Sequence, residues 1–121
     1  MNKKILIVDD EPSIVMSLEY AFKKKDFEVF IARDGTEALE IAVAEVPNVI
    51  LLDIMMPKMD GYETLKELRK NKVLKRTKVI FLSAKNKLAD VERGLKLGAD
   101  SYVTKPFSIK KVITDVEKMI A

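Results

Sequence analysis

The chain has 121 residues, 48% of them hydrophobic and 34% charged, and 22 lysines and arginines against 19 acidic side chains leave a formal net charge of +3. That length and polarity fit one soluble domain, residues 1–121, closed around a single core. There is no cysteine and no histidine, which excludes disulfides, thiolate metal sites and thiol nucleophiles, removes the commonest general base, and requires any metal site to be built from oxygens, favouring a hard cation such as magnesium.

Met1-Asn2-Lys3-Lys4 runs straight into the apolar stretch Ile5-Leu6-Ile7-Val8. This is not a signal peptide, no run is long enough to span a membrane, and a cytoplasmic location is expected. A continuous apolar run of this length reads as a strand buried on both faces. It ends in Asp9-Asp10-Glu11, and Pro12 opens a helix whose Ile14, Leu18, Ala21 and Phe22 share one face; Lys23-Lys24-Lys25 close it where the helix dipole favours positive charge. Val29-Phe30-Ile31-Ala32 is a second strand. After Asp34-Gly35 a helix carries Ala38, Leu39, Ala42 and Val46, and Pro47-Asn48 stops it.

Val49-Ile50-Leu51-Leu52 is a third apolar strand, ended by the single carboxylate of Asp53. Pro57 and the Asp60-Gly61 turn lead to a helix with Tyr62, Leu65 and Leu68 on one side, and the stretch from Asn71 to Thr77 reads as a charged loop. Val79-Ile80-Phe81-Leu82 is a fourth strand ending in Ser83-Ala84-Lys85. The next helix has Leu88, Val91 and Leu95 on its expected core side and Gly98 in the position of a carboxyl cap. Ser101-Tyr102-Val103-Thr104 alternates like an edge strand and ends at Lys105-Pro106. Ser108 caps a last helix with Ile109, Val112, Ile113, Val116 and Ile120 on its core face.

Strand and helix thus alternate five times, which predicts an α/β sandwich of three layers, a parallel sheet between helices. The least apolar strands, the second and fifth, belong at the edges. That gives the flavodoxin-like (βα)5 order 2-1-3-4-5, with its switch point between strands one and three. Basic residues are densest at Lys66, Arg69, Lys70, Lys72, Lys75, Arg76 and Lys78. No recognition motif or interleaved aromatic accompanies them, so they read as a solvated face, and direct nucleic-acid binding by this domain is not expected.

In a parallel sheet the residues just past the strands lie along one rim. Here they are Asp9, Asp10 and Glu11, then Asp53, Ser83 and Lys105. Taken singly, each reads as a cap, a turn residue or a surface charge. Together they place several mutually repelling carboxylates at the switch point, an arrangement stabilised by a divalent cation. Lys105 and Ser83 add a positive charge and a hydroxyl suited to a phosphoryl group, and an aspartate beside magnesium can accept one as an aspartyl phosphate.

Ile7-Val8-Asp9-Asp10-Glu11, Asp53-Ile54-Met55-Met56-Pro57-Lys58-Met59-Asp60-Gly61, Ser83-Ala84, Gly98-Ala99-Asp100 and Tyr102-Val103-Thr104-Lys105-Pro106-Phe107 stand in an order and spacing that resembles the receiver (CheY-like) domain of two-component response regulators. The resemblance implies Asp53 as phosphoacceptor. It implies magnesium, with manganese as a substitute, held by Asp10 directly, by Asp9 mainly through water, by Asp53 and by the backbone carbonyl of Met55. It further implies Lys105 pairing with the phosphoryl group after a cis Lys105–Pro106 peptide, Ser83 followed by Ala84 as the phosphoryl-binding switch, and Tyr102 changing rotamer with it. The donor is then a phosphohistidine on a sensor histidine kinase or histidine phosphotransfer protein. The output runs through the face of the fourth helix, fifth strand and fifth helix to a downstream protein or an output domain absent from this sequence. The chemistry is a signalling phosphoacceptor's rather than an enzyme's.

Met55 and Lys85 occupy positions where that family varies and which tune phosphoryl lifetime. Ser101 and Asp115 stand where dimerising members carry an acid and an arginine, so a monomer is expected. Competing readings are an aspartate-nucleophile phosphatase or phosphotransferase, disfavoured by Met55 where a second acid would stand, a flavin protein, disfavoured by the acids after strand one, and a degenerate structural pseudo-receiver.

Overall fold

The computed structural model describes residues 3–121. Strands and helices alternate throughout: β1 Lys4–Val8, α1 Pro12–Lys24, β2 Glu28–Ala32, α2 Gly35–Glu45, β3 Val49–Asp53, α3 Gly61–Lys70, β4 Lys78–Ser83, α4 Leu88–Lys96, β5 Ser101–Thr104 and α5 Ile109–Met119. Met1 and Asn2, where the expected domain and its leaderless start begin, lie outside the described residues. No helix among the described residues is long and apolar enough to cross a membrane.

The five strands form one parallel sheet in the order β2-β1-β3-β4-β5, a flavodoxin-like α/β fold. Side chains alternate across the sheet, so the central strands feed two cores. Leu6, Val8, Ile50, Leu52 and Phe81 pack with Ala38 and Ala42 of α2 and Tyr62, Leu65 and Leu68 of α3. Ile5, Ile7, Leu51, Ile80 and Leu82 pack with Leu18 and Phe22 of α1 and Val112 and Val116 of α5. Each fully buried aliphatic side chain contributes about 1.5–3 kcal/mol, which is why the strands with the most fully buried positions occupy the middle and β2 and β5 the edges.

Helix starts follow the sequence. Asp34, Asp60 and Ser108 accept from the backbone N–H groups of Glu37, Glu63 and Lys111, each cap contributing about 1 kcal/mol. α1 differs: Pro12 begins it and no side chain caps it, which leaves the acids after β1 free for other work.

Three local expectations are corrected. Val46 does not continue α2; it adopts a left-handed φ of 45° as the cap and is exposed. The stretch 71–77 is more than a charged loop, because a 3₁₀ turn at Lys72–Leu74 buries Leu74. The third concerns α4. Leu88 and Leu95, expected in the core, are 72% and 45% exposed, and Gly94 is the buried residue of that helix. The reason lies beneath it. Tyr62, Phe81 and Tyr102 form a ladder of aromatic edges, with centroids 5.5 and 5.9 Å apart, and α4 settles on it through the one residue without a side chain. A Cβ at Gly94 would lie 2.9 Å from Phe81 Cδ2 and 3.1 Å from Tyr102 Cδ2. Gly94→Ala is therefore expected to destabilise the fold by about 1–2 kcal/mol, even though alanine is the better helix former by about 1 kcal/mol. A urea titration with an unchanged or raised midpoint would contradict this packing.

Candidate functional site

The register fixes the rim. Val8 pairs with Leu52, Asp53 with Leu82, and Ser83 with Thr104. Asp9 and Asp10 therefore emerge beside Asp53, and Lys105 emerges beside Ser83. Asp53 and Ser83 are the last residues of their strands rather than the first beyond them.

One carboxylate oxygen from each of Asp9, Asp10 and Asp53 can be chosen so that all three lie within 4.8 Å of one another. Asp9 and Asp53 are 1% and 3% exposed, while Asp10 faces solvent. Lys105 Nζ lies 3.1 Å from Asp9 Oδ2, 3.2 Å from Glu11 Oε1 and 3.5 Å from Asp53 Oδ1. The Lys105 N–H donates to the Ser83 carbonyl at 2.7 Å, and its peptide bond to Pro106 is cis. Asp9 is held by the Glu11 N–H, which donates to Oδ1 at 2.9 Å.

These charges do not cancel. Burial, then the Asp9 carboxylate, push Asp53 up from 3.8 to about 6, against the opposing pull of Lys105 and the Met55 backbone. Burial alone would lower Lys105, but its hydrogen bond to Asp9 and the charges of Asp53 and Asp9 outweigh it and raise the lysine above its ordinary value. One lysine among four carboxylates leaves the pocket short of positive charge. Oxygen donors within one ion's reach are the donor set of a hard divalent cation.

Ser83 is wholly buried, and its Oγ accepts from the Lys85 N–H at 3.1 Å. Tyr102 Oη donates to the carbonyl of the same Lys85 at 2.8 Å, and burial pushes its phenol up to about 12. Serine and tyrosine thus meet on opposite ends of one residue, a link that reading Lys85 only as a nearby charge misses. Its signal in sequence was the spacing, since a serine hydroxyl commonly takes the N–H two residues on. Glu11 was likewise read as a strand-end acid and not as a partner of Lys105. Ala84 is exposed and lines a groove of about 600 Å³ with Glu11, Ile14, Lys105 and Phe107. Met55, two residues after Asp53, has an exposed side chain, 58% accessible.

A family model of the response regulator receiver domain matches residues 5–117. The chain is 47% identical over 120 residues to the alkaline phosphatase synthesis transcriptional regulatory protein PhoP of Bacillus subtilis (strain 168), an alignment covering 99% of this chain and 49% of that protein. It therefore spans about half the length of that relative. Among solved structures, the Francisella response regulator 1452 receiver domain superposes with a TM-score of 0.91 at 39% identity, covering 98% of this chain and 97% of that one. The receiver domain of sensor histidine kinase PA1611 from Pseudomonas aeruginosa PAO1, with magnesium coordinated in its active-site cleft, gives 0.90 at 28% identity, covering 99% and 98%.

Proposed function

The chain belongs to the response regulator receiver family of two-component signalling, and from that premise we propose that it accepts a phosphoryl group on Asp53 and passes the change to its α4–β5–α5 face. The observation that carries this is the buried Asp53 carboxylate at the end of β3, within 3.5 Å of Lys105 Nζ and within one ion's span of Asp9 and Asp10.

Asp9, Asp10 and Asp53, with the Met55 carbonyl, are the residues that would hold magnesium. When bound, the ion supplies positive charge against the oxygens of the transferring group. An Asp53 oxygen attacks phosphorus as the bond from phosphorus to the donor imidazole nitrogen breaks, and the imidazole leaves with that electron pair. Lys105 gives up part of its contact with Glu11 and Asp9 to pair with the new charge, roughly two negative units. Ser83 turns its hydroxyl toward the phosphoryl group and leaves the Lys85 N–H. Because Tyr102 is tied to the Lys85 carbonyl, that movement reaches β5 and the exposed Leu88 and Leu95 of α4.

In this reading residues 1–121 act as one cytoplasmic receiver unit. It signals rather than turns over substrate. A histidine kinase or phosphotransfer protein is the donor, and an output domain or separate partner receives the signal, as the kinship to a transcriptional regulator supports. Incubation with acetyl phosphate and magnesium is expected to add one phosphoryl group, located by mass spectrometry to the peptide bearing Asp53. A missing adduct, or one on another residue, would refute the assignment.

A further inference from the structure

At the opposite end of the sheet, where β4 begins, the chain builds a second charged site. A cavity of about 590 Å³ is walled by Arg69, Lys72, Lys75, Arg76 and Lys78, with Asp100 as its one acid. Five cations and one carboxylate give this pocket a net +4, more than the +3 of the whole chain. The positive excess of the protein is thus gathered in one concavity, and the remaining 17 basic and 18 acidic side chains sum to −1.

The single acid is already engaged. Asp100 Oδ2 accepts from Arg69 Nη2 at 3.0 Å and from the Val79 N–H at 2.9 Å. Arg69 also donates to the carbonyls of Thr77 at 2.8 Å and Gly98 at 2.9 Å, which locks one wall of the pocket to β4 and to the loop before β5. Lys78 Nζ stands 4.0 Å from Asp100 Oδ1. Lys72, Lys75 and Arg76 have no ion-pair partner among the described residues. Like charges held together on a concave wall raise the local potential and favour a bound anion.

We propose that this pocket binds a compact chain of linked phosphates, either inorganic polyphosphate or the phosphate tail of a nucleotide. The volume lies in the range of small-ligand sites, roughly 300–1,000 Å³. The lining offers no aromatic ring on which a base would stack, and base stacking carries much of single-stranded nucleic-acid binding. The ligand chemistry is therefore that of the phosphates themselves, several charges close together matching several cations close together. The site lies at the end of the sheet remote from Asp53, and its occupancy does not depend on the phosphoacceptor reading.

The probe is sodium tripolyphosphate without magnesium, titrated calorimetrically into the full chain, with orthophosphate and sulfate at matched ionic strength as comparisons. One saturable site is expected for tripolyphosphate and none for the single anions. In Lys75→Gln/Arg76→Gln, two exposed positions, affinity should fall at least tenfold while the far-ultraviolet spectrum and phosphorylation of Asp53 stay unchanged; Lys24→Gln, at the end of α1 and outside the pocket lining, should bind normally. A nucleoside triphosphate binding as tightly as tripolyphosphate identifies the tail alone as the determinant, and tighter binding identifies the nucleotide as the source. Either result upholds the site. Equal binding of sulfate, unchanged affinity in the double variant, or a preference for an oligonucleotide or an acidic peptide over tripolyphosphate would overturn it.

Discussion

Asp53→Asn is expected to abolish phosphoryl incorporation and, in metal-free protein at neutral pH, to raise stability. The sign follows from the pocket. Folding raises the Asp53 pKa from 3.8 to about 6, so the folded state holds this proton more tightly than the unfolded chain does. The resulting stability is fully present below the unfolded value and is lost as pH rises through about 6. At neutral pH the buried charge then costs about 3 kcal/mol, taking about 1.4 kcal/mol per pKa unit. Asparagine keeps the shape and removes the charge, for a gain in melting temperature on the order of 10 °C. Magnesium should reverse the order, because a cation held by the ionised carboxylates stabilises the native protein by mass action and gains nothing from the amide. The check is a pair of melting curves across pH 4–8, with chelator and with magnesium. A metal-free wild type as stable as Asp53→Asn at pH 7.5, or a stability that climbs with pH through this window because of Asp53, would contradict the geometry.

The same balance explains what could be read from the chain and what could not. Strand identity was legible because Ile5–Val8, Val49–Leu52 and Val79–Leu82 hold no polar residue, and a strand of that kind has nowhere to go but the middle of a covered sheet. Once those three are central and parallel, the rim follows, and with it Asp9, Asp10, Asp53, Ser83 and Lys105. The cap of the last helix was legible in Ser108 because a cap is a local match between one side chain and one N–H, whereas Asp34 and Asp60, read as turn residues, also prove to be caps. α4 was not legible in this way. Its apolar residues are spaced as a core face, yet Leu88 and Leu95 point outward. What orients that helix is the Tyr62–Phe81–Tyr102 ladder, assembled from three separate elements, and a glycine, which registers in no hydrophobic pattern. The Lys85 N–H and carbonyl joining Ser83 to Tyr102 and the Arg69 clamp on the Thr77 and Gly98 carbonyls escaped for a related reason: on one side each uses backbone atoms, which carry no residue-type signal.

Gly61→Ala is expected to damage fold and site together. Gly61 opens α3 directly behind Asp53, and its N–H donates to the Ile54 carbonyl at 2.8 Å, folding the loop 55–60 back upon β3. A Cβ there would lie 2.5 Å from the Asp53 carbonyl oxygen and 2.7 Å from Ile54 Cα. Both obstacles are backbone, so no rotamer change relieves the overlap. Either the strand end or the start of α3 must move, at a cost of about 3 kcal/mol. The strand end is the part that aims Asp53, and a displacement near 1 Å costs a positioned reaction about 100-fold. Gly35→Ala is the discriminating comparison. Its Cβ would press on Thr64 Oγ1 and on Met59 Sδ, and these are side-chain atoms rather than the backbone that carries Asp53. Gly35→Ala should therefore lose stability but retain the rate at which acetyl phosphate labels Asp53, whereas Gly61→Ala should lose both. The two rates, measured well below either melting transition, separate the cases: equal labelling by the two variants would show that Gly61 serves packing alone and that the aim of Asp53 is set elsewhere.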